Sequence, residues 1–158
     1  MTTKNDMAKE YDLFEIWLMD MSDALENFLN SLPKDVSEKL DFSPDSLNIL
    51  ENYILTKYSG SSEILAADAS KMVDGMARYV GQTFRRSFNG KWIIDYNDKK
   101  NAFYGLPQIA NMQGQVTQFC PATLVTASVH RKTGIFIKTV YNNYLERTIQ
   151  ARGAISGA

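Results

Sequence analysis

The sequence predicts an α+β fold, a mostly helical single domain with a small antiparallel hairpin or a three-stranded sheet. Apolar residues recur every three or four positions through most of the first 88 residues, as on one face of a helix. A run of aromatic and β-branched residues then follows the turn signal Asn89-Gly90. No linker or repeat divides the 158 residues. We therefore expect one globular domain over 1–150 and a flexible tail over 151–158, where the residues are mostly small.

The first predicted helix covers 9–30. Its apolar positions follow steps of three and four and form one stripe: Phe14, Trp17, Leu18, Met21, Leu25, Phe28, Leu29 and Leu32. Pro33 ends this helix, because its ring would clash with the carbonyl four residues earlier. The stripe is typical of a helix that packs against a core.

The second predicted helix covers 44–58, because Ser43 can act as an N-cap and a proline follows at the first helical position. The third covers 62–88 and is predicted to be central, since its apolar period lasts more than five turns. Gly75 and Gly81 interrupt it. A glycine in a helix interior costs roughly 0.5–1 kcal/mol relative to alanine, so we expect another backbone or side chain to approach closely at both positions.

Two short strands are predicted after the third helix. The run 91–96 forms the first, and 102–106 pairs back on it as a hairpin. Pro107 cannot donate to a ladder and marks the end or the edge of the second strand. A third short strand is possible over 116–119.

The C-terminal part is predicted to return to helix. The stretch 121–129 is compatible with a strand or a helix. Its Thr and Val residues favour a strand, whereas Pro121 and the apolar spacing favour a helix. We prefer the helix. A break at Thr133-Gly134 precedes a final predicted helix over 135–150.

Charge is unevenly distributed along the chain. Residues 1–60 carry 5 Lys plus Arg against 12 Asp plus Glu, and the remaining 12 basic residues outnumber 6 acidic ones in 61–158. The stretch from Glu10 to Pro33 has six acids and no base. This acidic face either packs against, or simply balances, the basic C-terminal part of the same chain, or it binds a basic partner, for which such a field raises the association rate.

A second cluster surrounds the end of the third helix, where residues spaced by three and four share one face. Its members are the predicted partner-binding residues: Arg78, Gln82, Arg85, Arg86, Lys91 and Trp92. Arginine is favoured at protein interfaces, but the same arginines can instead pair with carboxylates of the first helix or the hairpin. Nucleic-acid binding is a third interpretation, against which an isoelectric point near 5.8 argues.

No catalytic residue, metal site or cofactor is predicted. Cys120 and His130 are the only cysteine and histidine, and the sequence signals neither an orienting third group nor an oxyanion hole for them. We interpret Cys120 as a buried thiol and His130 as a surface residue. The sequence also has no apolar run long enough for a membrane span and no apolar signal core at its start, which predicts a cytoplasmic protein with no membrane partner.

Two segments resemble uncharacterised families of small bacterial proteins: LDFSPDSLNILE at 40–51 and YVGQTFRRSFNGKW at 79–92. In these families a helix with a Tyr-x-Gly-Glu-x-x-Arg pattern leads through a Gly-x-Trp turn into a hairpin, and Gln82 stands here where Glu is usual. Some members look like immunity or accessory proteins of toxin systems. The resemblance implies a bacterial, non-catalytic interaction module, adaptor-like or immunity-like, whose partner is another protein such as a toxin or secreted effector. The alternatives are an enzyme with an unrecognised site and, less favoured, a nucleic-acid-binding module.

Overall fold

The computed structural model describes residues 3–156 and confirms the predicted class: a mostly helical α+β chain with a small antiparallel sheet. The elements follow in this order: α1 (Lys4–Met19), α2 (Met21–Ser31), α3 (Lys34–Ser37), α4 (Pro44–Lys57), α5 (Ser61–Ile64), a 3-10 turn (Ala67–Ala69), α6 (Ser70–Phe88), β1 (Lys91–Ile93), β2 (Gln108–Ala110), α7 (Pro121–Arg131) and α8 (Phe136–Ser156). The predicted second helix is confirmed as α4, with the Ser43 hydroxyl accepting the Ser46 N–H at 3.2 Å.

Helix α6 lies at the centre of the core and packs against α2, α4, α7 and α8, as its long apolar period predicts. Both glycine expectations are confirmed. A Cβ built on Gly75 would lie 2.3 Å from Cδ1 of Phe28, and one on Gly81 would lie 2.1 Å from Cη2 of Trp92. The two glycines therefore let an aromatic ring of α2 and one of β1 pack directly on the α6 backbone.

The single first helix predicted over 9–30 is wrong, because the structure divides it into α1 and α2 at Asp20, where φ is −82° and ψ is 0°. The carbonyls in the last turn of a helix lack partners within it. Here the Trp17 carbonyl accepts a hydrogen bond from Nη1 of Arg78 at 2.8 Å. Helix α1 also begins earlier than predicted, because Thr3 and Asp6 form a capping box.

The third predicted helix, 62–88, is also interrupted. Residues 61–64 form a separate turn of helix, and the long helix begins only at Ser70. Ala66 between them adopts extended backbone with ψ of 151°. This bend accompanies burial of Ile64 and Ala69, whereas Leu65, an apolar residue of the predicted third helix, is 68% exposed.

The predicted hairpin partner 102–106 is wrong. Strand β1 pairs with β2 in the register Lys91 opposite Ala110 and Trp92 opposite Ile109. Residues 102–106 lie in turns instead, and the proposed third strand is reduced to one bridge between Phe119 and Ile109. Of the two predicted alternatives, the sheet of the described chain is therefore the two-stranded one, with a different second strand.

Local hydrogen bonds around Asp95 explain why the predicted hairpin does not form. Its carboxylate accepts the N–H groups of Asn97 at 2.7 Å and Asp98 at 3.2 Å, and the Asn101 side chain at 2.9 Å. These bonds hold the pKa of Asp95 below its usual value, the backbone bond from Asn97 contributing most. Side-chain bonds of this kind compete with a strand ladder and favour turns.

The two predicted C-terminal helices are confirmed. The stretch 121–129 is helical as α7, and α8 runs beyond the predicted end at Gln150 to Ser156. Residues 151–156 of the predicted flexible tail thus continue that helix, and 157–158 lie outside the described residues.

A buried carboxylate that the sequence did not single out holds the start of α8. Glu51 of α4 is fully buried, and its two oxygens accept the N–H groups of Phe136 at 3.0 Å and Ile137 at 2.7 Å. The first N–H groups of a helix lack intrahelical acceptors and carry partial positive charge. Glu51 therefore satisfies two of them and joins α4 to α8.

A candidate protein-binding face

Arg78, predicted to bind a partner, belongs to the core. It is only 3% exposed, and its Nε donates to Oδ2 of Asp74 at 2.8 Å, one turn away on the same helix. Its guanidinium also lies 4.0 Å from the centre of the Trp17 ring. Arg78 thus forms an ion pair within the chain, as the second interpretation expected, but that interpretation is wrong about the carboxylate, which belongs to α6 and not to the first helix or the hairpin.

Gln82 and Trp92 belong to the same interior arrangement. The Gln82 Oε1 accepts hydrogen bonds from Nε1 of Trp92 at 3.0 Å and from Nε of Arg85 at 2.6 Å. The Trp92 ring meets Trp17 edge-on, with 4.9 Å between ring centres. Gln82 and Trp92 are buried, like Arg78, so little of these three side chains is accessible, and their role in partner binding stays a prediction. Each finds a hydrogen-bond partner within the chain, so its burial leaves that polar group satisfied.

Three members of the predicted cluster remain accessible. Arg86 and Lys91 are exposed, and Arg85 is half-buried. The Arg86 guanidinium lies 3.9 Å from the centre of the Phe42 ring, and none of the three basic groups forms an ion pair within residues 3–156. This smaller basic surface stands as the remainder of the predicted site.

Six acids of α1 and α2, from Glu10 to Glu26, form no ion pair within residues 3–156. The exposed ones are Asp12, Glu15, Asp20, Asp23 and Glu26, and Glu10 is half-buried. In the part of the chain that the structure describes, the ion pairs are Lys34–Glu38, Arg78–Asp74 and Lys138–Asp45, and none involves these six. The acidic stretch therefore forms no ion pair with the basic C-terminal part of the chain, although α2 packs against α6 of that part.

Exposed apolar residues lie beside these acids on α1. Leu13 is 64% exposed, Ile16 is 59% exposed, and Met19 is more exposed still. Leu13 and Ile16 are three residues apart and share one side of the helix, next to Asp12 and Glu15. We call these four residues the α1 face. The sequence indicates that this face is exposed, because Leu13 and Ile16 are apolar but lie outside the stripe that packs on the core.

Two cavities adjoin the α1 face. One of about 470 Å³ lies between α1, α6 and α7, and one of about 300 Å³ lies beside Leu13. They share Trp17, Asp74 and Pro107 in their walls, so they are neighbours, and we call the two together the Trp17 groove. Sequence reasoning missed this groove, because its walls come from segments far apart in the chain.

The carboxylate of Asp74 is the polar centre of the Trp17 groove. Its Oδ1 accepts the indole N–H of Trp17 at 2.7 Å, and its Oδ2 accepts from Arg78. The Asp74 side chain nevertheless stays 44% exposed. A carboxylate has about four lone-pair sites, so Asp74 keeps acceptor capacity toward the groove.

The other chemical candidates do not assemble into a site. Cys120 is buried and precedes α7, whereas His130 is exposed in its last turn, about 15 Å further along the helix at 1.5 Å per residue. Within residues 3–156 no group of His, Cys, Asp or Glu side chains is arranged to hold a metal ion. None of the described helices has the length and apolar character needed to cross a membrane.

The two segments that carry the family resemblance meet in the fold. The Tyr79 ring stacks on Phe42 with 4.7 Å between ring centres, and the Tyr79 hydroxyl accepts the Phe42 N–H at 2.9 Å. It also lies 2.7 Å from the Ser46 hydroxyl. Phe42 has a positive φ of 63°, which is rare for a bulky residue and is held here by these contacts.

Comparison with known proteins adds no relative: no protein-family model, curated protein or solved structure matches this chain.

Proposed function

We propose that this protein is a non-catalytic interaction module that binds a basic, partly apolar surface of another protein through the α1 face. The observation that carries the proposal is that exposed apolar side chains and unpaired carboxylates lie side by side on α1. Contiguous apolar surface rimmed by polar groups is typical of protein-binding sites. The proposal includes the bacterial and cytoplasmic setting expected above, with a toxin or secreted effector as partner.

The charge of α1 and α2 supports a basic partner. Five exposed acids with no base between them in the sequence produce a negative field along α1 and α2, and none of the five forms an ion pair within residues 3–156. Such a field speeds the encounter with a positive surface, and buried apolar contacts then hold the complex. The exposed Leu13 and Ile16 supply those contacts, and each contributes more when water is fully excluded around it.

The test compares four baits in affinity capture from the native host, with mass spectrometry of the retained proteins. They are the wild type, the face variant Glu15→Lys/Ile16→Lys, a matched control Glu146→Lys/Ile149→Lys on α8, and a basic-surface variant Arg86→Glu/Lys91→Glu. All of the substituted residues are exposed, so each variant is expected to fold. Circular dichroism checks that expectation.

We expect the wild type, the matched control and the basic-surface variant to retain the same protein, and the face variant to retain at least tenfold less. If the face variant retains it as well as the wild type does, the α1 face is not the binding surface. If only the basic-surface variant loses it, Arg86 and Lys91 mark the interface, and the predicted basic cluster was the better guide.

A further inference from the structure

We propose that a polar cavity between α2 and α6 binds a small zwitterionic molecule of the amino-acid class, which carries both a carboxylate and an ammonium group. We call it the Arg78 cavity. Its volume of about 490 Å³ falls in the range of about 300–1,000 Å³ that is usual for ligand pockets. No residue of the α1 face lines it, so this inference is independent of the proposed function.

A nearly buried guanidinium lines the cavity and keeps donors free. The Nε of Arg78 donates to Asp74, and its Nη1 donates to the Trp17 carbonyl and approaches the Met21 sulfur at 3.8 Å. Its Nη2 has no hydrogen-bond partner within residues 3–156, yet it is not one of the fully enclosed polar atoms. A charged donor inside a protein needs an acceptor, and carboxylate is the acceptor that arginine binds best. Arg78 therefore offers a place for the carboxylate of a ligand.

The hydroxyl of Tyr58 is a second free donor at the cavity. Tyr58 follows α4 and is only 8% exposed, but its hydroxyl forms no hydrogen bond within residues 3–156 and is not fully enclosed. A phenol keeps its proton at neutral pH and can donate it to an oxygen acceptor. Two side chains that are more than nine-tenths buried thus line one cavity with polar atoms that nothing in the described chain satisfies.

The charges that line the cavity are balanced. Three residues are basic and three are acidic, and Arg78 with Asp74 forms an ion pair. The four that form no ion pair within residues 3–156 are Asp20, Lys57, Asp68 and Lys71. An ion of one sign is attracted by half of these groups and repelled by the other half, whereas a zwitterion places each of its charges near the opposite one. Asp74, one turn from Arg78 and half-exposed, has lone pairs left for an ammonium group.

The probes are the standard L-amino acids, each added at the same millimolar concentration to the whole protein. A ligand that binds only the folded state raises the melting temperature, so thermal unfolding identifies those that bind. Isothermal titration calorimetry then gives the dissociation constant of the strongest binder. Its N-acetyl derivative lacks the ammonium charge, and its α-amide lacks the carboxylate. We expect each derivative to bind the wild type at least tenfold more weakly than the parent amino acid.

A charge variant tests whether the binding site is this cavity. The rim variant is Lys57→Gln/Lys71→Gln, and the matched control Lys99→Gln/Lys100→Gln removes the same charge outside the cavity. All four lysines are exposed, so both variants are expected to fold, which circular dichroism checks. The control should keep the wild-type affinity, and the rim variant should bind the amino acid at least tenfold more weakly. The α-amide should bind the rim variant no more weakly than the wild type, because the acids remain; a collapsed cavity would weaken both ligands.

A second variant tests the buried donors. Tyr58→Phe keeps the ring and removes only the hydroxyl, so it should weaken binding of the amino acid by about three- to tenfold without changing the fold. Unchanged affinity of this variant would show that the hydroxyl does not face the ligand and would refute the proposed site.

Three other results would overturn the inference. The first is that no standard amino acid raises the melting temperature of the wild type. The second is equal affinity for the amino acid and its N-acetyl derivative, which would identify a site for anions. The third is a loss of affinity in the lysine control as large as in the rim variant, which places binding elsewhere. The Glu15→Lys/Ile16→Lys variant should bind the amino acid as the wild type does, so this inference and the proposed function can fail separately.

Discussion

Replacing Gly81 with alanine tests the packing of the Trp92 ring on the backbone of α6. The added Cβ would lie 2.1 Å from Cη2 and 2.4 Å from Cζ2 of Trp92, and 3.0 Å from Cγ of Pro121. Real Cβ atoms do not approach other atoms as closely as the first two distances, so the indole has to move. Trp92 is buried, bonded to Gln82 and packed on Trp17, and it cannot move without losing some of these contacts.

The size of the effect follows from three contributions. Alanine favours the helix interior over glycine by about 1 kcal/mol. Overpacking a core costs about 1–3 kcal/mol, and loss of the indole bond to Gln82 costs about 1 kcal/mol more. The free energy of unfolding should therefore fall by about 1–3 kcal/mol, although the same substitution in an open helix would raise it.

Urea denaturation followed by far-UV circular dichroism measures this change. The control is Gly153→Ala in α8, where an added Cβ meets no atom within 4 Å, so stability should stay unchanged or rise by up to about 1 kcal/mol. In a Trp92→Ala background, Gly81→Ala should lose most of its cost, because the ring it strikes is absent. Wild-type stability of Gly81→Ala, or an undiminished cost in that background, would refute the packing explanation.

Three further predictions concern the core. Trp92→Ala should lower the free energy of unfolding by about 3–5 kcal/mol in the same denaturation assay, and a loss below 1 kcal/mol would contradict its placement in the core. Glu51→Gln should cost about 1–3 kcal/mol by weakening the hold on the start of α8, whereas Glu26→Gln on the surface should stay within about 0.5 kcal/mol. Burial raises the pKa of Tyr79 above its ordinary value, so its stabilising contribution is complete below about pH 10 and is lost as pH rises toward the raised folded-state pKa. Urea titrations between pH 8 and 11 should show a steeper loss for the wild type than for Tyr79→Phe; parallel curves would contradict it.

Part of the candidate site could be predicted from the sequence. The acidic stretch on the first helix was identified from spacing alone, since six acids with no base between them leave few ways to be neutralised locally. The sequence analysis grouped the residues around Arg78 on one helix face and predicted that this face is accessible, whereas Arg78, Gln82 and Trp92 are buried. Residues at steps of three and four share a helix face whether that face is inside or outside, and only the presence of Trp17 and Asp74 beside Arg78 decides.

The helical class, the cap at Ser43, the central helix and the close approaches at Gly75 and Gly81 were determined by the sequence itself, because each depends on local spacing or on the absence of a side chain. The break at Asp20, the partner strand 108–110 and the bond from Glu51 to the start of α8 were decided only by tertiary structure. Each depends on a contact between residues distant in the chain. Arg78 bonds to the Trp17 carbonyl from 61 positions away, and no periodicity encodes a partner at that distance.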